Sequence, residues 1–465
     1  MSLLLTHGYF LAEDPAERAI MRPYPPLGLL YITSHLKARG IPVRVFDSTF
    51  RSRADFEREI EARTPAVIGI YVTLMTRRNV LWMIQKAKAR GATVVLGGPE
   101  PVNYAEEYLS RGADFIVAGE GEATLAALLA ARLAGDAARY EEIDGLVFRN
   151  AAGEIVRTRA RAQLPELDDQ PFPDREAIDL EKYLEAWQTH HGVRSVSVIT
   201  ARGCPYTCRW CSHSVYGFSH RRRSPENVAD ELEVLVARYR PDQVWYADDV
   251  FTINKRWLTR YAAELERRSI RLPFETITRE DRLDEKVIDT LAAMGCYRIW
   301  IGAESGSQRI LDAMDRRTDA KRMRSMIQLL RSRGIRAGTF IMLGYEGEDW
   351  KDLDATARHL RESLPDDLLT TIAYPIKGTA YYEDVASKVV PLRPWELGSD
   401  RDLTVRGRFS TDFYGHAQHW LAGELAFATE WERPGRSYLR LARTLAHAKR
   451  HRLAMHLKRH ERQGG

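Results

Sequence analysis

Arg202-Gly203-Cys204-Pro205-Tyr206-Thr207-Cys208-Arg209-Trp210-Cys211 places three of the chain's four cysteines in the spacing C-x3-C-x2-C. Thiolates this close can wrap one iron–sulfur cluster from a single loop, each on a different iron. A four-iron cubane then keeps one iron without a protein thiolate, open to a substrate or cofactor. Structural metal sites close their coordination with four ligands, so the missing fourth points to chemistry. A zinc reading stands beside this one, because His213 follows Cys211 by two residues and would supply a fourth ligand. A disulfide framework does not suit 465 residues with 4 Cys. Cys296, in Met294-Gly295-Cys296-Tyr297, reads as a buried, inert thiol.

Downstream of this loop, strand and helix patterns alternate over residues 193–383. The apolar runs Val196-Ser197-Val198-Ile199, Gln243 to Ala247, Phe274 to Thr278, Arg298 to Gly302, Ala337 to Leu343 and Leu369 to Ala373 predict strands. Helical patterns separate them, the first opened by Ser224 as N-cap before Pro225. Six βα-like repeats suit a partial (β/α)6 barrel, whose polar residues gather just past the strand ends. Those residues are Asp248 and Asp249, then Arg279, then Glu304 and Ser305, then Gly344. Each has a plainer reading. The two aspartates can cap the next helix, and Arg279-Glu280-Asp281-Arg282 can be a solvated charge run.

Upstream, five short apolar strands are predicted near Leu3, Val43, Val67, Thr93 and Phe115, with helices between them, one of them capped by Asn79. This pattern means a parallel sheet covered on both faces, a Rossmann-like domain of flavodoxin type. Ligands bind such sheets at the carboxyl ends of the strands. Gly97-Gly98-Pro99 and Gly119-Glu120-Gly121-Glu122 stand there. No G-x-G-x-x-G follows the first strand, so the dinucleotide fingerprint is absent. On local grounds these glycines serve either tight turns or close approach of a ligand.

The cysteine loop resembles the signature of radical S-adenosylmethionine enzymes, with Trp210 fitting the aromatic position before the third cysteine. The resemblance implies that Cys204, Cys208 and Cys211 hold a 4Fe–4S cluster whose open iron is chelated by S-adenosylmethionine, giving a 5′-deoxyadenosyl radical. It also implies roles at the strand ends: Asp248 and Asp249 toward the methionyl amine, Arg279 toward its carboxylate, Glu304 and Ser305 toward the ribose, Gly344 bordering adenine. A second resemblance rests on Pro25-Pro26-Leu27-Gly28-Leu29-Leu30-Tyr31 and on the turns Gly97-Gly98-Pro99-Glu100 and Gly119-Glu120-Gly121-Glu122. They are similar to the cobalamin-binding domain fused ahead of many such enzymes, which implies that Gly97, Gly98, Pro99, Gly119, Glu120 and Gly121 contact cobalamin. The D-x-H-x-x-G motif is missing; Asp47-Ser48-Thr49-Phe50-Arg51-Ser52 carries no histidine. The implied cobalamin therefore has its tail base displaced and no histidine on cobalt from that loop.

The expected domains are 1–135 for cobalamin, 136–190 as connector, 191–385 as the barrel, and 386–465 as a helical C-terminal region with a basic tail. The expected activity is radical methylation of an unactivated carbon. Oxidative cyclisation of the kind performed by the anaerobic cyclase of magnesium protoporphyrin ester is the alternative, and an iron–sulfur sensor or electron carrier is the distant one. The substrate is expected to be a small molecule, lipid-like, a tetrapyrrole or another secondary metabolite, with a flavodoxin or ferredoxin as reductant. A net charge of +5 is too small to argue for nucleic acid. The start lacks the charged region and long apolar core of a signal peptide, so a reducing cytoplasm is expected. Near the end, His416 and His419 share a helical pattern read as packing on the barrel, with metal binding as the other reading. Between Arg433 and Arg462 the only acid is Glu461, which suits either a solvated helix or peripheral contact with an anionic membrane.

Overall fold

The computed structural model describes residues 2–463. The chain divides into two compact units. The first runs through residue 205 and adds 212–243 and 393–399; the second takes 206–211, 244–392 and the stretch from residue 400.

The first unit is built on β1 (Leu3–His7), β2 (Val43–Phe46), β3 (Val67–Tyr71), β4 (Thr93–Gly97), β5 (Phe115–Val117), β6 (Leu146–Arg149) and β7 (Ile155–Arg157). They form one sheet in the order β2-β1-β3-β4-β5-β6-β7. β1 to β5 pair in parallel, the doubly wound order of flavodoxin-type sheets. Alternation sets the two cores: Leu3 and Leu5 join one apolar cluster, Leu4 the other. Each such buried side chain contributes about 1.5–3 kcal/mol.

Three features differ from expectation. Asn79 does not cap its helix, which spans Arg77–Lys88; its side-chain amide instead donates to the Gly8 carbonyl at 2.9 Å. The hairpin read as connector extends the sheet, because β6 pairs antiparallel with β5 and β7 with β6. The stretch expected as connector also holds the helix Leu180–His191, which buries Leu180, Tyr183, Leu184 and Trp187. That spacing is one helical face. Trp395 stands in the distant segment 393–399 and packs on Tyr108 at 5.2 Å between ring centroids.

In the second unit β9 (Gln243–Tyr246), β10 (Phe274–Thr278), β11 (Cys296–Glu304), β12 (Arg336–Leu343) and β13 (Asp367–Ile372) lie side by side in parallel, numbered after β8 (Ser195–Val198) of the first unit. Lys255–Arg267, Glu285–Ala293, Ala320–Ser332 and Trp350–Ser363 are the long helices between them. Asn254, not Asp248 or Asp249, caps the helix after β9 by accepting from the Trp257 N–H. Two long helices close the described chain, Thr411–Glu432 and Tyr438–Leu457, capped by Ser410 and Ser437. No helix among the described residues is long and apolar enough to cross a membrane.

Candidate cofactor sites

At the carboxyl ends of β1, β3, β4 and β5 the first unit opens a cavity of about 210 Å³, continuous with solvent. Its position follows from the strand order, since the chain reverses direction of winding between β1 and β3. Gly28, Gly69, Gly97, Gly98, Gly119 and Gly121 all line it. At Gly28 and Gly97 nothing lies within 4 Å of where a Cβ would stand, so bare backbone faces open space. Gly98 has φ +103, and a Cβ there would meet the Val72 carbonyl at 2.5 Å. Only glycine fits that turn. A broad, flat group can therefore approach the backbone closely, and the cavity fits a corrin ring in that respect.

Among the described residues, no histidine lines the cavity. His7, at the end of β1, is committed elsewhere. Its Nε2 lies 2.9 Å from Asp47 Oδ1, and its Nδ1 accepts the Tyr9 N–H at 3.2 Å. Asp47 also accepts from the Tyr183 hydroxyl at 2.8 Å. The loop after β2 thus has a structural role, in keeping with its lack of a cobalt-ligating histidine.

Arg202 is the residue that composition and spacing did not reveal. It lines the cavity, two residues before Cys204. Its guanidinium is buried and binds Glu120 at 2.8 Å and Glu122 at 2.7 Å. Glu120 also accepts from Arg221 at 2.8 Å and from the Leu164 N–H at 2.9 Å. Burial alone would push the Glu120 carboxyl up, but the hydrogen bonds from Arg221 and Arg202 hold it below its ordinary value. Both Glu120 oxygens are thus occupied, and its part is to shape the cavity wall. Gly203 follows with φ +81, where a Cβ would meet the Ser219 carbonyl at 2.4 Å. Pro99 does not line the cavity; its carbonyl accepts from the Ser214 hydroxyl at 2.7 Å.

In the second unit the strand ends gather around Cys208. Arg279 is buried, not a solvated charge. It donates to Cys208 Sγ at 3.7 Å, to Asp281 at 2.8 Å and to the Arg316 carbonyl at 2.7 Å. Its guanidinium also lies 3.7 Å from the centre of the Tyr206 ring. Arg316 adds a second donor to Cys208 Sγ at 3.9 Å and is held by the Gly302 carbonyl at 2.8 Å. Two buried cations beside one sulfur favour its thiolate, the form a cluster requires. Without a bound metal, burial outweighs the pull of Arg279 and leaves the Cys208 thiol above its ordinary value. Cys204 is partly buried and Cys211 is exposed. Cys296 is buried and burial pushes its thiol well up, as an inert thiol requires.

Glu304 ends β11 at a register shift against β12 and has φ 61, a strained backbone for a residue with a side chain. Burial pushes its carboxyl up to about 8, with Arg279 opposing. It therefore holds a proton at neutral pH and can both donate and accept. Ser305 is buried, and its hydroxyl pairs with Thr356 at 3.2 Å. That contact fixes the strand end. Asp248 is buried and Asp249 exposed. Gly344 lies against the Tyr414 ring and donates its N–H to Glu348 at 2.6 Å. Trp210 packs on the apolar cluster of Met314, Tyr345 and Tyr381.

Residues 198–360 match the Radical SAM superfamily and residues 20–129 match the B12 binding domain. An uncharacterized methyltransferase of Pyrococcus horikoshii is 28% identical over 80% of this chain and 82% of its own length. The anaerobic magnesium-protoporphyrin IX monomethyl ester cyclase of Rubrivivax gelatinosus is 26% identical over 79% of this chain and 67% of its own. Among solved structures, the radical S-adenosylmethionine methyltransferase TsrM of Kitasatospora setae, with cobalamin and a 4Fe–4S cluster bound, superimposes with a TM-score of 0.68 at 20% identity, covering 83% of this chain and 74% of that one.

Glu348 offers a test of the loop that carries Gly344. Burial pushes its carboxyl up to about 8 from an ordinary 4.5. The folded chain keeps a proton that the unfolded chain releases, so this contribution is complete below the unfolded value and is lost as pH rises through the folded one. Glu348→Gln keeps an acceptor for the Gly344 N–H and removes the titration. Between about pH 5 and about pH 8 the Tm of the parent should fall relative to that of the variant. Parallel Tm profiles across that range would contradict the assignment.

Proposed function

The chain belongs to the cobalamin-dependent radical S-adenosylmethionine enzymes, and we propose that it methylates an unactivated carbon of a small molecule. The observation that carries this reading is Arg202, which walls the glycine-lined cavity and stands two residues before the first cysteine of the loop. One segment thereby serves both cofactor-binding features.

Bound, the cluster and S-adenosylmethionine would supply one-electron chemistry for removing a hydrogen from the substrate, and cobalamin would supply the methyl group. The chain's own residues bind and orient. Cys204, Cys208 and Cys211 hold the cluster, with Arg279 and Arg316 balancing charge at Cys208. Asp248 offers a buried carboxylate to the methionyl ammonium, a charge-assisted pair. Asp249 offers a second, exposed one. Glu304 offers a protonated carboxyl to ribose hydroxyls, Ser305 positions it, and Gly344 borders the adenine. Arg279 has its donors engaged by Cys208, Asp281 and the Arg316 carbonyl, so its service is to the cysteine before the methionyl carboxylate. Gly97, Gly98, Gly119 and Gly121 receive the corrin. The substrate classes this reading admits are a lipid-like molecule, a tetrapyrrole or another secondary metabolite, with a flavodoxin- or ferredoxin-type protein as reductant.

Ring closure is the second reading, favoured by the similarity to the cyclase of Rubrivivax gelatinosus. Methyl-deuterated S-adenosylmethionine, supplied to anaerobically reconstituted protein with candidate metabolites, separates the two. A product carrying the deuterated methyl supports methylation; loss of hydrogen without that label supports cyclisation. In the same preparation Cys204→Ala, Cys208→Ala or Cys211→Ala should abolish the four-iron cluster and Cys296→Ala should leave it. Loss in Cys296→Ala with retention in Cys208→Ala would sink the assignment.

Cobalamin should bind with its tail base off cobalt. Electron paramagnetic resonance of the cob(II)alamin form reads this directly, and nitrogen superhyperfine splitting would contradict it.

We read the last helix as the peripheral membrane contact. It exposes Tyr438 and Leu457 at 77% each and Leu439 and Leu453 at 61% each, among many cations. Each cation near an anionic leaflet contributes about 1 kcal/mol, screened by salt. The full chain should co-sediment with anionic liposomes at low salt, less so at high salt, and less with Leu453→Gln and Leu457→Gln combined. Sedimentation unaffected by either salt or the double substitution returns the helix to solvent.

A further inference from the structure

We infer that the two closing helices carry a second metal site, for a divalent transition-metal ion of the zinc class, formed by His419, His447 and His451. Each offers a ring nitrogen, and these atoms all lie within 4.8 Å of one another. The first residue comes from Thr411–Glu432 and the other two from Tyr438–Leu457. His447 and His451 are four apart, so one helix face presents both. His419 meets that face from the other helix, its ring stacked on His451 with centroids 4.8 Å apart.

Two further features make this more than a crowd of imidazoles. Gly423, one turn beyond His419, lets the helices approach closely: a Cβ there would stand 3.0 Å from His447 Cδ2 and 3.1 Å from Ala448 Cα. The close crossing brings the histidines together across the helix pair. His416, one turn before His419, places Nδ1 3.0 Å from His451 Nδ1. A ligating histidine commonly engages its other ring nitrogen in this way, which fixes the tautomer. The Nε2 of His451 is then the atom left for the ion.

Neutral imidazoles suit zinc, copper and nickel; calcium and magnesium want oxygen ligands. A tetrahedral ion about 2.0 Å from each nitrogen spaces its ligands about 3.3 Å apart. His419 and His447 are exposed, so the fourth position is open to water. The site lies outside the cofactor-binding residues described above. Its effect is to pin the last helix to its neighbour, since an ion that binds only the folded pair stabilises that pair.

The test uses untagged, full-length holoenzyme, its cysteines occupied by the cluster, stripped of loose metal with a chelator and titrated anaerobically with Zn2+. One Zn2+ per chain should bind at micromolar or tighter affinity, and hydrogen exchange across 438–457 should slow on its addition. His447→Gln and His451→Gln should each weaken binding at least tenfold with iron content unchanged, while His190→Gln, far along the chain on an exposed helix end, should not. If either variant also loses iron, His419→Gln on the other helix is decisive in its place. Absence of a site tighter than millimolar, or equal affinity in the parent and the histidine variants, overturns the proposal.

Discussion

The buried ion network of Arg202 with Glu120 and Glu122 is the constraint on which the first unit's site depends. These charges are out of water, so each needs its partners. Breaking such a pair by removing one member costs about 3–5 kcal/mol, because the other charge stays buried alone. Arg221 and the Leu164 N–H complete the set at Glu120. The consequence is geometric: the turn after β5 and the segment entering the cysteine loop have one permitted arrangement. Glycines on either side leave space, and the ion network decides where that space is.

The second unit solves a different problem with the same means. A thiolate at Cys208 needs nearby positive charge, and Arg279 and Arg316 supply it from two separate stretches of chain. Arg316 is itself fixed by the Gly302 carbonyl, just before the register shift that strains Glu304. Charge at the sulfur, irregularity in β11 and protonation of Glu304 are therefore parts of one arrangement. Strain of about 1–3 kcal/mol at Glu304 persists because β12, Arg279 and the Ser305–Thr356 contact over-determine the strand end.

Cofactor chemistry was legible from the chain alone because cysteine spacing and glycine-rich turns are local. Three thiols in ten residues and a parallel-sheet pattern need no tertiary information. The same holds for the N-cap at Ser224. What misled were residues with two local uses. Asn79 looked like a cap and instead serves the Gly8 carbonyl. Arg279, expected at a strand end, had a solvated charge run as its plainer reading, and it is buried. Tyr183 and Trp187 fall in the stretch expected to be connector and are one face of a helix.

The sequence by itself determined the cofactor class, the parallel sheets, and the absence of a histidine in the loop after β2, since each is set by neighbours in the chain. Tertiary structure alone decided which charges meet. Arg202 with Glu120, Arg316 with Cys208, and His419 with His447 are separated by 82, 108 and 28 positions. No local periodicity encodes such pairs. They arise because burial of the apolar faces fixes the backbone first, and only then do buried polar groups find the partners that water no longer provides.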